Sequence, residues 1–219
     1  MTSSFRLLLL ASLALGCTAH AGEMNTLTGA EKSAGWQLLF DGKSLSGWRG
    51  YKTEQPVGWS VQQGTLVLEA GRKGDLVTLR EYGDFELTFD WKISEGGNSG
   101  VLYRVGLGDQ NPPRSGPEYQ VLDNAKAKDN KIGTHHAGAL YDLVAPAKDA
   151  SRPAGQWNEA RIRLQGWKVE HWLNGVKTAT ADLASPAGKA LIAGSKFKAW
   201  TRYASSRAVT SCCRTTATP

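Results

Sequence analysis

The segment Trp157–Val176 constrains the fold of this chain more than any other stretch. Its first half alternates apolar and charged residues, and Gln165-Gly166 and Asn174-Gly175 supply the positive φ angles that tight hairpins need. The segment therefore predicts a β-meander. Side chains alternate across a strand, so Glu170 and Trp172 share one face. An aromatic ring beside a carboxylate can bind carbohydrate, although a Trp that covers a sheet is the more ordinary interpretation.

Short strands separated by turn residues recur between Trp36 and Ala193. The run Phe85–Ile93 alternates large apolar and polar residues throughout, which predicts a strand with one face in a core. No window beyond the N-terminus predicts an amphipathic helix. Regular short strands with Gly, Asn, Asp and Pro turns are typical of an all-β sandwich or barrel. The other predicted strands are Trp36–Phe40, Trp59–Val61, Thr65–Leu68, Gly100–Val105, Glu118–Asp123 and Ala139–Leu143.

Residues 1–21 have the pattern of a secretory signal peptide. Arg6 precedes an apolar run and small residues follow up to Ala21, and the run is too short for a membrane-spanning helix. We expect cleavage near Ala21, a periplasmic or extracellular location in a bacterium, and no membrane span. Lipid attachment at Cys17 is the less favoured alternative, because the Leu that should precede it stands one position too early. Residues 22–34 are expected to form a linker.

The distribution of charge argues against nucleic acid as a partner. The formal net charge is +6, but four of the arginines lie in the signal segment or beyond residue 200, where no acidic residue balances them. The remainder is nearly neutral and has no basic cluster interleaved with aromatic residues. Cys212 and Cys213 also lie outside the patterned region, so we expect one sizeable core that is stabilised by burial rather than by disulfides.

Two long polar segments flank the predicted strand Glu118–Asp123, namely residues 106–117 and 124–138. Long loops on a β scaffold carry binding more often than packing. If both loops fold over the strand, they bring Gln120 and the strand's two carboxylates near His135 and His136. A divalent metal held by Glu118, Asp123 and one of the histidines is an alternative, although the spacing is not that of a tight metal motif.

Several ordered phrases resemble one known family. They are WQLLFDGKSLSGW, GDLVTLREYGDFELTFDWKISEGGNSGVLYRV, GPEYQVLDN, HHAGALYDLVAP, PAGQWNEARIRLQGWKVEHWLNGVKT and IAGSKFKAW. Together they resemble the 3-keto-disaccharide hydrolase domain over roughly residues 35–200. The resemblance implies a concanavalin A-like jelly-roll β-sandwich, secreted by bacteria, that cleaves glycosides whose sugar carries a ketone at C3.

The implied chemistry is elimination followed by hydration. A C3 ketone acidifies the hydrogen on C2, so a base can remove it, the enolate can expel the C1 substituent, and water can then add. Paired carboxylates at a fixed separation are not required. On this sequence the candidates are Glu118 or His136 as the base, Arg104 or Lys196 as the stabiliser of the enolate, and Gln120, Asp123, Tyr141, Glu170 and Trp172 as substrate contacts. A non-catalytic carbohydrate-binding module is the alternative.

Three other residues have structural interpretations. His171 is expected to pack in the core beside Val169 and Leu173, and Asn98 is expected to be a turn residue. Arg104 has a second interpretation, as an ion-pair partner of Asp90 or Glu86 on an exposed sheet face.

The resemblance ends near Lys198. Family members continue with a phrase like Gly-x-Ile-x-Leu-Gln-Asp-His-Gly and a last strand like Val-x-Phe-Arg-Asn-Ile, and neither is present here. Residues 201–219 contain no Gly, no acidic residue and little apolar alternation. We therefore expect a disordered tail and a sandwich that lacks its C-terminal strands, through either a shifted reading frame or genuine variation.

Overall fold

The structure is a computed structural model that describes residues 25–69, 73–108, 111–205 and 210–216, the last segment and Lys73 as backbone only. The expected signal peptide and Cys17 lie outside these residues. The chain divides into two compact units, residues 1–38 and residues 39–219. The described part of the first unit contains a short helix, α1 (Gly29–Ser33). Thr28 and Glu31 form a capping box at its start.

The second unit is a sandwich of antiparallel sheets. The five-stranded sheet has the order β1-β4-β11-β6-β7, the four-stranded sheet has the order β10-β9-β8-β5, and β2 and β3 form a separate hairpin. The all-β sandwich predicted from the sequence is therefore confirmed. The strands are β1 (Trp48–Gly50), β2 (Trp59–Gln62), β3 (Thr65–Leu68), β4 (Lys73–Thr78), β5 (Phe85–Trp91), β6 (Asn98–Val105), β7 (Glu118–Leu122), β8 (Asn158–Gln165), β9 (Lys168–Leu173), β10 (Val176–Asp182) and β11 (Thr210–Thr216).

The core lies between the two large sheets and follows the alternation of their strands. The predicted meander is present as β8, β9 and β10, and its turns place Gly166, Asn174 and Gly175 at positive φ. His171 is fully buried between Val169 and Leu173, as expected. The core side chains on the facing strands include Val101, Tyr103, Tyr119, Val121, Ala160, Ile162, Leu164 and Ala179.

The tail differs from its expectation. β11 pairs with β4 on one side and with β6 on the other, so Thr210–Thr216 occupies the middle of the five-stranded sheet. Strand pairing uses backbone groups, and two neighbouring strand edges present rows of N–H and C=O groups whatever the side chains of the incoming strand are. A segment without apolar alternation can therefore still complete the sheet.

Two predicted strands and, in this second unit, one missed helix also need correction. Trp36–Phe40 is not a strand, and Ala139–Leu143 forms only isolated bridges, through Leu140 to Tyr119 and Val144. The missed helix is α2 (Pro186–Gly194), which begins with Ser185 as N-cap and Pro186 at its first position. This Ser-Pro pair is an ordinary helix start. Within the described residues, no helix is long and apolar enough to cross a membrane.

Candidate active site

A polar cleft of about 200 Å³ lies beside β7. Tyr119 of this strand points into the core, where its hydroxyl donates to the carbonyl oxygen of Trp172 on the opposite sheet at 3.0 Å. Because side chains alternate, its neighbours Glu118 and Gln120 point to the outer face of the five-stranded sheet. The cleft is lined by Asn98, Ser99, Glu118, Gln120, Asp129, Tyr141 and Lys196.

Glu118 is the most deeply placed carboxylate of the cleft, with only 5% of the residue exposed. Its side chain lies over Gly100 of the neighbouring strand β6. A Cβ atom at position 100 would come within 2.0 Å of Glu118 Oε1 and within 2.7 Å of Cδ. The carboxylate can therefore occupy its position only because position 100 carries no side chain.

Two amides form the floor of the cleft beside this carboxylate. Gln120 Nε2 donates to Asn98 Oδ1 at 3.2 Å, and Asn98 Nδ2 lies 3.4 Å from Asp129 Oδ2. Asn98 begins β6 and is not the turn residue that the sequence suggested. Amides offer both donors and acceptors, which suits the hydroxyl groups of a sugar.

Lys196 and Tyr141 form another part of the lining, called the cationic wall. Lys196 begins a 3₁₀ turn that ends at Ala199. Its ammonium group donates to the Tyr141 hydroxyl at 2.8 Å and lies 3.9 Å from the ring centre. The Tyr141 hydroxyl in turn donates to Asp129 Oδ2 at 2.8 Å. Burial, and then the Asp129 carboxylate, raise the pKa of Tyr141 well above its ordinary value, so the hydroxyl stays protonated.

Behind this wall, His135 bridges two carboxylates. His135 Nδ1 lies 2.7 Å from Asp129 Oδ1 and Nε2 lies 3.0 Å from Asp142 Oδ1. Asp142 Oδ2 also accepts the backbone N–H of Lys196 at 2.9 Å. Burial opposes ionisation of Asp129, but hydrogen bonds from Tyr141 and His135 outweigh it and lower the pKa of Asp129. Asp129 is therefore a poor proton donor at neutral pH.

Two of the predicted site residues, Asp123 and His136, hydrogen-bond to loop backbone and do not line the cleft. The buried carboxylate of Asp123 accepts the backbone N–H groups of Gly96 at 2.7 Å and Ala125 at 3.1 Å. His136 Nε2 donates to the carbonyl oxygen of Asn130 at 3.2 Å. Among the described residues, no three His, Cys, Asp or Glu side chains are grouped to hold a metal ion, so the metal site suggested for Glu118, Asp123, His135 and His136 is not assembled.

Arg104 also lies away from the cleft. Its φ of 54° interrupts the alternation at the end of β6. The buried guanidinium pairs with Asp84 Oδ1 at 3.0 Å and lies 4.4 Å from the centre of the Trp167 ring. Arg104 is thus placed neither as an enolate stabiliser nor as the expected partner of Asp90 or Glu86.

Glu170 and Trp172 lie on the outer face of the other, four-stranded sheet. The Trp172 ring is flanked by Arg161 at 4.7 Å and Lys177 at 4.9 Å. Glu170 pairs with Lys177 and lies 3.9 Å from Arg163. Glu170 and Trp172, which were predicted to contact carbohydrate, are therefore in contact with charged side chains. They belong to a cluster of ion pairs on the surface and not to the cleft.

Sequence reasoning placed Glu118, Gln120, Tyr141 and Lys196 in the site, and the structure brings these four together. It missed Asn98, Ser99 and Asp129, which line the cleft, and Asp142, which supports it. The sequence gives only a weak signal for Asp142. Its unusual feature is a positive φ of 58°, which is visible only in the structure. Asp129 lies in the polar loop 124–138, which had been interpreted as a binding loop.

Comparisons with known proteins identify the family to which the chain is similar. The model of the family described as 3-keto-alpha-glucoside-1,2-lyase-like domain matches residues 35–206. A 3-keto-disaccharide hydrolase of Bacteroides thetaiotaomicron is 33% identical over 199 residues, which cover 81% of this chain and 69% of that protein. A crystal structure of a candidate glycosyl hydrolase from Parabacteroides distasonis has a TM-score of 0.82 at 33% identity and covers 87% of this chain and 92% of its own.

A second Parabacteroides distasonis structure, with a TM-score of 0.57 and 23% identity over 76% of this chain and 90% of its own, supports the fold alone. The sandwich, its polar cleft and these relatives define a jelly-roll domain of the glycoside hydrolase class. Within that class, the chain belongs to the family of 3-keto-alpha-glucoside-1,2-lyase-like domains. The resemblance seen in the sequence is thereby confirmed.

Proposed function

We propose that this chain is an exported hydrolase that cleaves the glycosidic bond of 3-keto-disaccharides or other 3-keto-glycosides. The observation that carries the proposal is one deep carboxylate, Glu118, which shares a small polar cleft with Lys196 and Tyr141. Elimination at a keto-sugar needs a base and a cation or hydrogen-bond donor for the enolate oxygen, and Glu118 and Lys196 take these roles in the proposal. Family membership supports the proposed substrate class.

The proposed reaction proceeds in two balanced stages. In the first stage, Glu118 removes the proton from C2, the C1–O bond breaks with its electron pair, a C1=C2 double bond forms, and the leaving oxygen takes a proton from a water molecule. In the second stage, the hydroxide left by that water adds to C1, and C2 receives a proton back from the Glu118 carboxyl group. Lys196 stabilises the negative charge that develops on the C3 oxygen through its ammonium group, which Tyr141 orients by accepting one of its hydrogen bonds.

The state of Asp129 favours this route over an oxocarbenium mechanism. Two-carboxylate glycosidases need one carboxylic acid with a raised pKa that protonates the leaving oxygen. Asp129 is the second carboxylate that lines the cleft, but its pKa is lowered and both its oxygens accept hydrogen bonds, from Tyr141 and His135. Asp129 is therefore unsuited to the role of the acid in such a pair.

The size of the cleft limits what it can hold. Pockets for drug-sized ligands occupy about 300–1,000 Å³, whereas this cleft occupies about 200 Å³. We infer that it binds one keto-sugar ring and leaves the departing group outside. The polar lining also favours an enzyme over a lectin-like module, since the aromatic platform expected of a lectin is absent where Trp172 was predicted to supply it.

The test uses a 3-keto-disaccharide and its unoxidised parent in D₂O. We expect sugar release from the keto form alone, with solvent deuterium at C2 of the released 3-keto-sugar beyond the level of an enzyme-free control. An oxocarbenium route would leave C2–H intact, and equal cleavage of both substrates would contradict the proposal. Saturable binding without turnover would favour the carbohydrate-binding module.

Matched variants then assign the groups. Glu118→Gln should lower kcat by about 10²–10⁴-fold, as expected for loss of a positioned general base, whereas Glu159→Gln, an exposed carboxylate on β8, should not. Lys196→Met should lower kcat, and Lys198→Met, an exposed lysine in the same turn, is its control. Near-normal turnover in Glu118→Gln together with loss in His136→Gln would move the role of base to His136.

A further inference from the structure

His135 lies outside the cleft but contacts Asp129 and Asp142, the two carboxylates that hydrogen-bond to the cationic wall. Each carboxylate contacts His135 with one oxygen and accepts a hydrogen bond from a cleft residue with the other oxygen. Asp129 Oδ2 accepts the Tyr141 hydroxyl at 2.8 Å, and Asp142 Oδ2 accepts the backbone N–H of Lys196 at 2.9 Å. Because Lys196 Nζ also donates to the Tyr141 hydroxyl at 2.8 Å, the five residues form a closed ring of hydrogen bonds.

The protonation state of His135 decides whether this ring can stay closed. A carboxylate only accepts hydrogen bonds, and a neutral imidazole has one N–H, so it can donate to one of its two partners. The imidazolium donates to both. The arrangement is mostly screened from water, since 13% of the His135 side chain, 13% of Asp142 and 32% of Asp129 are exposed. A carboxylate left facing a bare ring nitrogen is unfavourable in such surroundings.

Packing strengthens the same connection. The His135 ring lies 4.4 Å from the Tyr141 ring, centre to centre, at an interplanar angle of 31°. The backbone N–H of Asp142 donates to the carbonyl oxygen of Thr134, the residue before His135, at 3.0 Å. Movement of the imidazole is therefore coupled to Tyr141 and Asp142. The charged or titratable groups that face it are Asp129, Asp142 and Tyr141, with Lys196 one hydrogen bond further away.

We propose that His135 is a positioning residue that, as the imidazolium, holds Tyr141 and Lys196 in the cleft. Deprotonation of His135 would remove one of its two hydrogen bonds and loosen the wall, and activity should then fall. The kinetic part of this inference rests on the proposed function, whereas the structural part does not.

Two measurements test His135 without any turnover. The ¹⁵N NMR signals of His135 at pH 6 should report protons on both ring nitrogens, and a single neutral tautomer would overturn the proposal in the unmodified protein. Exchange of the Lys196 amide hydrogen should be at least about tenfold faster in His135→Gln, because opening of the ring exposes this amide. Equal exchange rates would show that His135 does not hold Lys196.

Kinetics supply the last test. Glutamine presents one donor and one acceptor, as neutral histidine does, so His135→Gln should have kcat about tenfold or more below wild type at pH 6, with a smaller change in KM. Wild-type kcat should fall towards the variant's value as the pH rises, and the variant should lack this fall. Lys198→Met, at an exposed lysine outside the ring, should keep it. An unchanged pH profile in His135→Gln would overturn the proposal, whereas failure of wild type on every keto-glycoside would reject only the proposed function.

Discussion

At the scale of single residues, the absence of a side chain at position 100 is as important to the site as any functional group. Gly100 leaves the space that the Glu118 side chain occupies over β6. The glycine has no positive φ. Its requirement is therefore steric and not conformational.

Gly100→Ala should displace the Glu118 carboxylate and lower kcat at least about tenfold, and it should destabilise the fold by roughly 1–3 kcal/mol, the usual cost of overpacking. Steady-state kinetics and urea unfolding measure the two effects. Gly83→Ala is the control, because a Cβ atom there meets nothing within 4 Å. Unchanged kcat in Gly100→Ala would mean that Glu118 tolerates displacement and is not the base.

His171 is the other residue whose surroundings determine a measurable property. Burial lowers the pKa of His171 from its ordinary value to about 3. Its Nδ1 lies 3.2 Å from the carbonyl oxygen of Ala139, which can only accept, so Nδ1 carries the proton and Nε2 accepts from the Tyr103 hydroxyl at 3.0 Å. The neutral ring is thus an integral part of the core.

The stability of the fold should therefore begin to fall with decreasing pH already above the range in which carboxylates titrate. The unfolded chain binds a proton at His171 below about pH 6.5, and the folded chain does not bind it until about pH 3. The free energy of unfolding should fall by up to about 1.4 kcal/mol per pH unit from this group as the pH decreases through that range. Urea unfolding between pH 7 and pH 5 should show a smaller slope for His171→Gln, and equal slopes would contradict the neutral, buried assignment.

At the scale of elements, β11 is the strand on which the five-stranded sheet depends. It pairs with β4 and β6, which do not pair with each other, and its removal would expose two strand edges at once. Each lost backbone hydrogen bond contributes a net of about 0.5–1.5 kcal/mol. The sum over two ladders is comparable to a whole domain's stability of about 5–15 kcal/mol.

A chain that stops after Ser205 should accordingly be poorly soluble and rapidly proteolysed, while one that stops after Thr216 should behave as the full chain does. Limited proteolysis and thermal melting separate these outcomes. If the shorter chain melts at the temperature of the full one, β11 contributes nothing. The shifted reading frame considered from the sequence would then be the better account of residues 201–219.

At the scale of the whole molecule, alternation made most of the sandwich predictable. Strands such as β5 and β9 have one face in the core and one outside, so burial alone gives them a period of two. β11 has no such pattern in its sequence, and its place in the sheet is given by backbone pairing with its neighbours. α2 is short and consists largely of small residues, so its hydrophobic periodicity is weak. Elements that are stabilised by backbone pairing or by helix caps are therefore hard to predict from hydrophobic periodicity.

The same distinction explains which site residues could be found. Glu118 and Gln120 lie on a strand, where alternation fixes the face to which they point. The loop residues His135, Asp129 and Asp142 meet through a fold of the chain that no periodic pattern encodes. Trp172 was placed on the correct face of its own strand, but the sequence does not reveal that this sheet lies opposite the cleft.

The position of β11 in the sheet also sets an order of events during synthesis. β8, β9 and β10 follow one another along the chain and can pair as soon as they leave the ribosome, whereas β4 and β6 wait for a strand made much later. Such distant pairings form slowly. A nascent chain without residues 210–216 leaves the facing edges of β4 and β6 without their shared partner. Under the proposed export, this late closure would keep the chain in a state that a translocation channel can thread.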